Sequence, residues 1–140
     1  MSKLTNCLLK KDTTCLPVWF MRQAGRYLPE FREIRSKNKD FIKLCLDSRL
    51  SSEITLQPLK RFNIDAAIIF SDILMTPYAL GQEVQFKKDH GPILSKLSLE
   101  KFNNNNHENF KDKLNPVYEA IKITRLNLKK EKSLIGFIGA

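Results

Sequence analysis

Four arginines stand close together near the start of the sequence, among aromatic and aliphatic residues. The stretch PVWFMRQAGRYLPEFREIR covers residues 17–35 and contains Arg22, Arg26, Arg32 and Arg35. A guanidinium group presents parallel N–H donors that match a carboxylate or a phosphate. The cluster could therefore bind an anion with several acidic groups. For Arg22 and Arg26, spacing alone favours the plainer interpretation, in which they bond to the protein's own carboxylates and carbonyls.

The residues between the first two arginines could add to an anion site. Gly25 permits a tight main-chain path and a close approach of a ligand, because it has no side chain. Exposed main-chain amides of Gln23 and Ala24 could supply further N–H donors.

A carboxylate follows the most apolar run in the sequence. Residues 66–70 read AAIIF, which is typical of a strand buried on both faces of a parallel sheet, and Asp72 comes just after it. Ligands of α/β proteins bind at the carboxyl ends of such strands. A second interpretation, equally supported, is that Asp72 or Ser71 caps the following turn.

Other kinds of site have little support. The three cysteines form no C-x-x-C pair, His90 and His107 have no ligand-like spacing, and nucleotide-binding and nucleophile motifs are lacking. We therefore predict no metal, no nucleotide and no covalent nucleophile.

The net charge of +9 favours anionic partners, although lysines on solvated faces explain most of it. With no apolar stretch of signal-peptide or membrane-span length, the sequence predicts a soluble cytoplasmic protein without membrane contact.

The elements that must position these residues alternate between helix and strand. We predict helices starting at Pro29 and at Asp40, and a third one kinked or loosened at Pro58. A strand at about residues 65–71, a helix at about 116–130 and a strand at about 133–139 form a βαβ unit with a parallel sheet. The helix is expected to start with Asn115 as its cap and Pro116 in its first turn. Tyr78 and Gly81 are assigned to a loop, and the tract Asn103–Asn106 to a flexible insertion.

Two buried parallel strands do not make a domain, because their outer edges require further strands. The 140 residues end on or just beyond the second predicted strand. We therefore expect them to be the N-terminal portion of a longer α/β protein. A (β/α)₈ TIM barrel of about 250 residues is one such architecture.

Three long segments resemble the uroporphyrinogen decarboxylase family. They are PVWFMRQAGRYLPEFREIRSK, LQPLKRFNIDAAIIFSDILMTPYALG, and AIKITRLNL together with SLIGFIGA. The resemblance implies the N-terminal part of a (β/α)₈ TIM barrel over residues 1–140, truncated after its second strand. It also implies a homodimer and a lyase of haem biosynthesis that uses no cofactor or metal. Such an enzyme converts the four acetate side chains of uroporphyrinogen III to methyl groups, giving coproporphyrinogen III and CO2.

The family's site residues transfer to matching positions here. Its substrate-binding residues fall on Arg22, Gln23, Ala24, Gly25, Arg26 and Arg35, its central carboxylate on Asp72, and a pocket-lining residue on Phe137. We expect the aromatic side chains of residues 17–35 to pack beneath the arginines, leaving Arg22, Arg26 and Arg35 facing the ligand. Asp72 would accept hydrogen bonds from the pyrrole N–H groups and stabilise positive charge during decarboxylation.

Two alternatives remain. The 140-residue segment could be a fragment of that enzyme that is inactive alone, since most of the barrel would be missing. A basic module that binds nucleic acid is favoured less, because the sequence offers one basic and aromatic cluster and no recognised motif.

Overall fold

The computed structural model describes residues 1–11, 14–21, 23–87, 90–103 and 107–137. Predictions for Arg22, for Asn104–Asn106 and for the end of the second strand at residues 138–139 therefore lie outside the described residues. The helices are α1 (Lys3–Lys10), α2 (Pro29–Lys37), α3 (Phe41–Leu46), α4 (Ser48–Arg61), α5 (Met75–Ala79), α6 (Leu99–Asn103) and α7 (His107–Asn127). The strands are β1 (Ala66–Ile68), β2 (Val84–Lys87), β3 (Gly91–Leu94) and β4 (Ser133–Ile135).

The predicted α/β class and the parallel strand pair are confirmed. Strands β1 and β4 pair in parallel, with Ala66 opposite Ser133 and Ile68 opposite Ile135. Helix α7 lies between them in the chain and packs along α4. The two strands are therefore the β elements of a βαβ unit, and their carboxyl ends lie side by side.

Strand β1 is shorter than the predicted range of about 65–71, because its neighbours take other hydrogen-bond partners. At its start, the Asp65 N–H donates to the Val18 carbonyl at 2.7 Å. Past its end, Phe70 bonds to α4 through both main-chain groups, at Ser51 and Thr55. Phe70 is thereby drawn out of the β ladder, whereas Asp65 keeps one bond to β4, in which its carbonyl accepts from the Ser133 N–H.

The predicted start of the long helix at Pro116 is wrong. Helix α7 runs from His107 to Asn127, so Pro116 lies in its interior. Upstream of the proline, Phe110 and Leu114 pack into the same apolar cluster as Val117. Burial of this continuous apolar face stabilises the helix upstream of the proline, despite the missing N–H donor.

The other predicted helices occur where the sequence placed them. Helix α2 starts with Pro29 at its first position, and the Asp40 side chain caps α3 by accepting from the Lys43 N–H at 3.1 Å. Asp47 caps α4 in the same way, and that helix continues through Pro58 to Arg61. Proline and aspartate at helix starts are strong local signals.

The segment after β1 is more ordered than predicted. Tyr78, assigned to a loop, lies in α5, and Gly81 follows that helix with a φ of 89°. Strands β2 and β3 then form an antiparallel hairpin. The Phe86 ring of the hairpin contacts the Phe41 ring of α3, with centroids 4.9 Å apart.

The core has two apolar clusters that meet at Phe70. One is centred on α3, α5 and α7, with Ile42, Cys45, Met75, Ala79 and Leu114 buried. The other joins α2, α3 and α4, with Leu28, Phe31, Leu44 and Ile54 buried. Phe70 packs against both, so the chain leaving β1 runs over the junction of the two clusters.

Candidate functional site

An open cleft of about 620 Å³ lies where β1 and β4 end. Its walls come from the segment before α2, from the exit of β1 and from the end of β4. The lining residues are Trp19, Met21, Gln23, Ala24, Ile68, Ile69, Phe70, Ser71, Asp72, Ile73, Ile135 and Phe137. Among these described residues, Asp72 alone has an ionisable side chain, and most of the others are apolar.

The Asp72 carboxylate is partly buried and fixed. One of its oxygens accepts from the Leu74 N–H at 2.9 Å, and its main-chain carbonyl accepts from the Met75 N–H at 3.1 Å. The turn-capping interpretation is therefore correct for that oxygen. The second carboxylate oxygen has no hydrogen bond to any residue that the structure describes. Asp72 is thus both held in place and available to a ligand.

Two hydroxyl groups on α4 support the chain just before Asp72, and sequence reasoning missed them. The Ser51 hydroxyl donates to the Phe70 carbonyl at 2.5 Å, and the Thr55 hydroxyl accepts from the Phe70 N–H at 2.8 Å. Two hydroxyl residues one turn apart on the helix before a buried strand are a weak signal, because such residues often bond within their own helix.

Gln23 is predicted to bind substrate, and its side-chain amide is used by the protein itself. The side chain is buried, its Nε2 donates to the Ala66 carbonyl at 2.8 Å, and its Oε1 accepts from the Phe20 N–H at 3.2 Å. Its main-chain carbonyl accepts from the Tyr27 hydroxyl. Gln23 thus attaches the arginine-rich segment to β1 while lining the cleft.

The structure separates the roles of two arginines in residues 17–35, which we call the signature segment. Arg32 donates from Nη1 to the carbonyls of Arg26 and Tyr27, at 2.8 and 3.3 Å, so it holds the turn before α2. Arg26 is exposed, and its guanidinium group makes no ion pair or hydrogen bond with the described residues. Neither Arg26 nor the neighbouring Gly25 belongs to the cleft lining.

Arg35 lies behind the cleft rather than in its lining. It donates to the Asn38 carbonyl, and its guanidinium carbon lies 5.7 Å from the centroid of the Phe41 ring. Burial raises the pKa of the Cys45 thiol to about 12; Asp72 adds to this rise and Arg35 opposes it. Arg35 and Asp72 thus both act on one buried thiol, and no ion pair within the described ranges joins them.

The expectation that the aromatic side chains pack beneath the arginines is wrong for most of them. Phe31 is buried, whereas Trp19, Phe20 and Tyr27 are 37%, 60% and 55% exposed. The segment is attached to the fold by hydrogen bonds at Val18 and Gln23, so its rings are not needed as anchors. Trp19 instead lines the cleft, as does Phe137 from the other side.

Two features are absent from the described ranges. No group of three or more histidine, cysteine, aspartate or glutamate side chains could hold a metal ion there. No helix in the same ranges has the length and apolar character needed to cross a membrane.

The carboxyl ends of parallel strands, where this cleft lies, are the usual position of ligand sites in α/β proteins. The family model of uroporphyrinogen decarboxylase (URO-D) matches residues 1–140, and the chain belongs to this family.

Similar curated proteins carry the same description. The uroporphyrinogen decarboxylase of Rickettsia felis is 49% identical over 132 residues, which are 94% of this chain and 38% of that protein. The one from Campylobacter jejuni is 47% identical over 133 residues, 94% of this chain and 39% of its own length. The one from Rickettsia akari is 45% identical over 140 residues, 100% of this chain and 41% of its own. The chain therefore spans about two fifths of the length of these relatives.

Proposed function

We propose that the intact protein containing these residues converts uroporphyrinogen III to coproporphyrinogen III, releasing CO2 from each of four acetate side chains. The observation that carries this proposal is Asp72. It is the single ionisable side chain among the described residues of an apolar cleft, and it lies beside the signature segment of a family named for this reaction.

The parallel pair fits the start of a (β/α)₈ barrel, and we propose that residues 1–140 are part of one barrel domain. Strand β1, the crossover containing α7, and β4 would be its first two parallel strands with their connection. Active sites of such barrels are formed by the loops after the strands. The cleft lies at that end, which supports the assignment. A homodimer is proposed from the family resemblance alone.

The chemistry requires an anion beside a cationic intermediate. A proton added to a pyrrole carbon makes the ring an electron sink. The bond between the side-chain methylene and its carboxylate then breaks, CO2 leaves, and the electron pair enters the ring. A second proton on the methylene carbon gives the methyl group, and loss of the ring proton restores the pyrrole. In this scheme Asp72 accepts from the pyrrole N–H groups and stabilises the positive charge, an effect strengthened by its apolar surroundings.

The arginines would bind the remaining carboxylates of the substrate. Arg26 is suited to this role because it is exposed and its guanidinium group has no partner among the described residues. Arg35 would contribute charge from behind the cleft, and Arg22 is proposed from the family match. Binding of several carboxylates at once would fix the macrocycle over Asp72.

A direct assay tests the function. Intact protein is incubated with uroporphyrinogen III under reducing conditions, and the products are separated by their number of carboxylates. We expect stepwise loss of carboxylates ending in coproporphyrinogen III. Unchanged substrate, with a known decarboxylase active in the same buffer, would refute the proposal.

A second assay asks whether residues 1–140 suffice. In the described part of the chain β1 and β4 pair only with each other, so the proposed barrel would need further strands. We therefore expect purified 1–140 to give no turnover. Turnover at the rate of the intact protein would mean that the proposed barrel is not required.

A further inference from the structure

The main chain changes partners where it leaves strand β1. The last hydrogen bond to the neighbouring strand is donated by the Ile69 N–H to the Ile135 carbonyl, at 3.0 Å. The next residue, Phe70, has both of its main-chain polar groups bonded to side chains of α4. The path from the sheet to Asp72 is therefore set by a helix.

Three hydrogen bonds link Ser51, Thr55 and Phe70, and each has a defined donor and acceptor. The Thr55 hydroxyl donates its single proton to the Ser51 carbonyl at 2.7 Å, so it can only accept from the Phe70 N–H. The Ser51 hydroxyl donates to the Phe70 carbonyl at 2.5 Å. The side chains of Ser51 and Thr55 are almost fully buried, so water has little access to their hydroxyl groups.

The Phe70 side chain and the residues that follow it are held as well. Its ring makes edge contacts with Phe31 and Phe41, with centroids 5.9 and 6.0 Å apart. Two residues further on, Asp72 is bound by the Leu74 N–H at 2.9 Å. Only Ser71 lies between the two anchored residues.

We propose that Ser51 and Thr55 are positioning residues for Asp72, a role that rests on the proposed function. By bonding both main-chain groups of Phe70, they fix the direction in which the chain leaves β1. They thereby fix where the carboxylate meets the substrate. Small displacements of a group that stabilises a transition state reduce turnover strongly.

A second pair of buried hydroxyl groups, Ser52 of α4 and Thr124 of α7, provides a matched control. Thr124 of α7 donates to the Ala120 carbonyl at 2.7 Å and lies 3.0 Å from the Ser52 hydroxyl. Ser52 and Thr124 are as deeply buried as Ser51 and Thr55, yet neither lines the cleft or bonds to a residue that does. Loss of either pair should reduce stability, and only loss of the first should move Asp72.

The experiment compares Thr55→Val, Thr55→Ser and Thr124→Val in the intact protein, with kcat and KM measured for uroporphyrinogen III. Valine keeps the shape of threonine and removes the hydroxyl. We expect Thr55→Val to lower kcat by about 10- to 100-fold. Its KM should change by less than about threefold. Thr55→Ser should restore most of kcat, and Thr124→Val should lower the melting temperature while leaving kcat unchanged.

Equal kcat values for folded Thr55→Val and Thr124→Val would overturn the proposal. If Thr55→Val does not fold, Ser51→Ala and Ser52→Ala replace the valine pair, with the same expected contrast.

If the wild-type protein does not act on uroporphyrinogen, the proposed function fails by itself. Hydrogen exchange at the Phe70 amide then tests the anchor separately. Faster exchange in Thr55→Val than in Thr124→Val supports it, and equal exchange refutes it.

Discussion

Strand β1 has an aspartate near each of its ends, and the protein uses the two carboxylates in opposite ways. Asp65, before the strand, accepts from the Val18 N–H at 2.9 Å and has Lys3 and Lys132 within 3.3 and 3.5 Å. Asp72, after the strand, accepts one hydrogen bond and has no cation within ion-pair distance in the described ranges. Residue type alone therefore does not identify a candidate site. The two carboxylates are distinguished by the partners that each already has within the protein.

The difference extends to the main chain. The Asp65 N–H donates to the Val18 carbonyl, and its carbonyl accepts from the Ser133 N–H at 3.0 Å. All polar groups of Asp65 are thus occupied by the fold. In α/β proteins with parallel strands, the amino ends contribute stability and the carboxyl ends carry the chemistry. The occupied groups of Asp65 and the proposed role of Asp72 fit this division.

The largest effect on turnover is expected at Asp72, after the carboxyl end of β1. Asp72→Asn keeps an oxygen that can accept from the Leu74 N–H, so the fold should survive. Loss of the negative charge should lower kcat for uroporphyrinogen by at least about 100-fold. Steady-state kinetics of the intact variant, with circular dichroism as the folding control, measure this. Turnover like that of the wild type would remove Asp72 from the mechanism and erase the contrast.

A substitution at Asp65, whose polar groups are all occupied, should instead reduce stability and leave turnover unchanged. Asp65→Ala leaves the Val18 N–H and two lysines without their partner. We expect it to lower the free energy of unfolding by about 2–3 kcal/mol. The folded variant should keep its kcat. Urea denaturation of the intact protein measures the first quantity, and a loss of kcat without a loss of stability would contradict the assignment.

Acid should remove the stability that ionised Asp65 contributes, and it should do so in a defined range of pH. The Val18 N–H, followed by Lys3 and Lys132, lowers the pKa of Asp65 below its ordinary value of 3.8. A lowered folded-state pKa contributes stability above the unfolded-state value, and this is lost as pH falls through the folded-state value. The stability difference between wild type and Asp65→Asn should therefore be constant near neutral pH and shrink below 3.8. A difference that grows on acidification would contradict this.

The smallest effect on stability is expected at Gly25. Its φ is outside the left-handed region, and an added Cβ would meet only the Tyr27 ring, at 4.0 Å. Gly25→Ala should therefore change the free energy of unfolding by no more than about 0.5 kcal/mol. If the substrate approaches the main chain here, KM should rise several-fold.

Gly81→Ala is the control for Gly25→Ala. Its φ of 89° disfavours alanine, so stability should fall by about 1 kcal/mol while KM is unchanged. An unchanged KM for Gly25→Ala would remove this residue from the binding site.

Local signals in the sequence predicted much of the fold. Pro29, Asp40 and the apolar run before Asp72 mark helix starts and a strand, and the structure has these elements there. The sequence does not reveal the start of α7, because Pro116 is a strong local start signal, whereas burial of Phe110 and Leu114 upstream of it depends on the tertiary fold. The hairpin of β2 and β3 was missed because its register depends on contacts such as Phe86 with Phe41, which are distant in sequence.

The sequence predicts which residues line the candidate site better than it predicts the hydrogen bonds that hold them in place. Asp72 and Phe137 line one cleft, as their positions after the two strands suggest. The sequence could not assign Gln23 to the Ala66 carbonyl, or Arg32 to the turn before α2, because an amide or guanidinium group bonds equally well to a ligand or to main-chain carbonyls. Only the folded arrangement decides between these partners.

The amide of Gln23 also limits how the sheet can grow. Residues on either side of Ala66 bond to β4, so the Ala66 carbonyl faces the opposite edge of β1, where Gln23 already occupies it. A strand added on that side would meet an occupied carbonyl at Ala66, and the next carbonyl on that edge is that of Ile68. In a closed barrel, this offset would set the stagger between the first and last strands, and hence the tilt of the ring. The signature segment would then help determine the width of the mouth that receives the substrate.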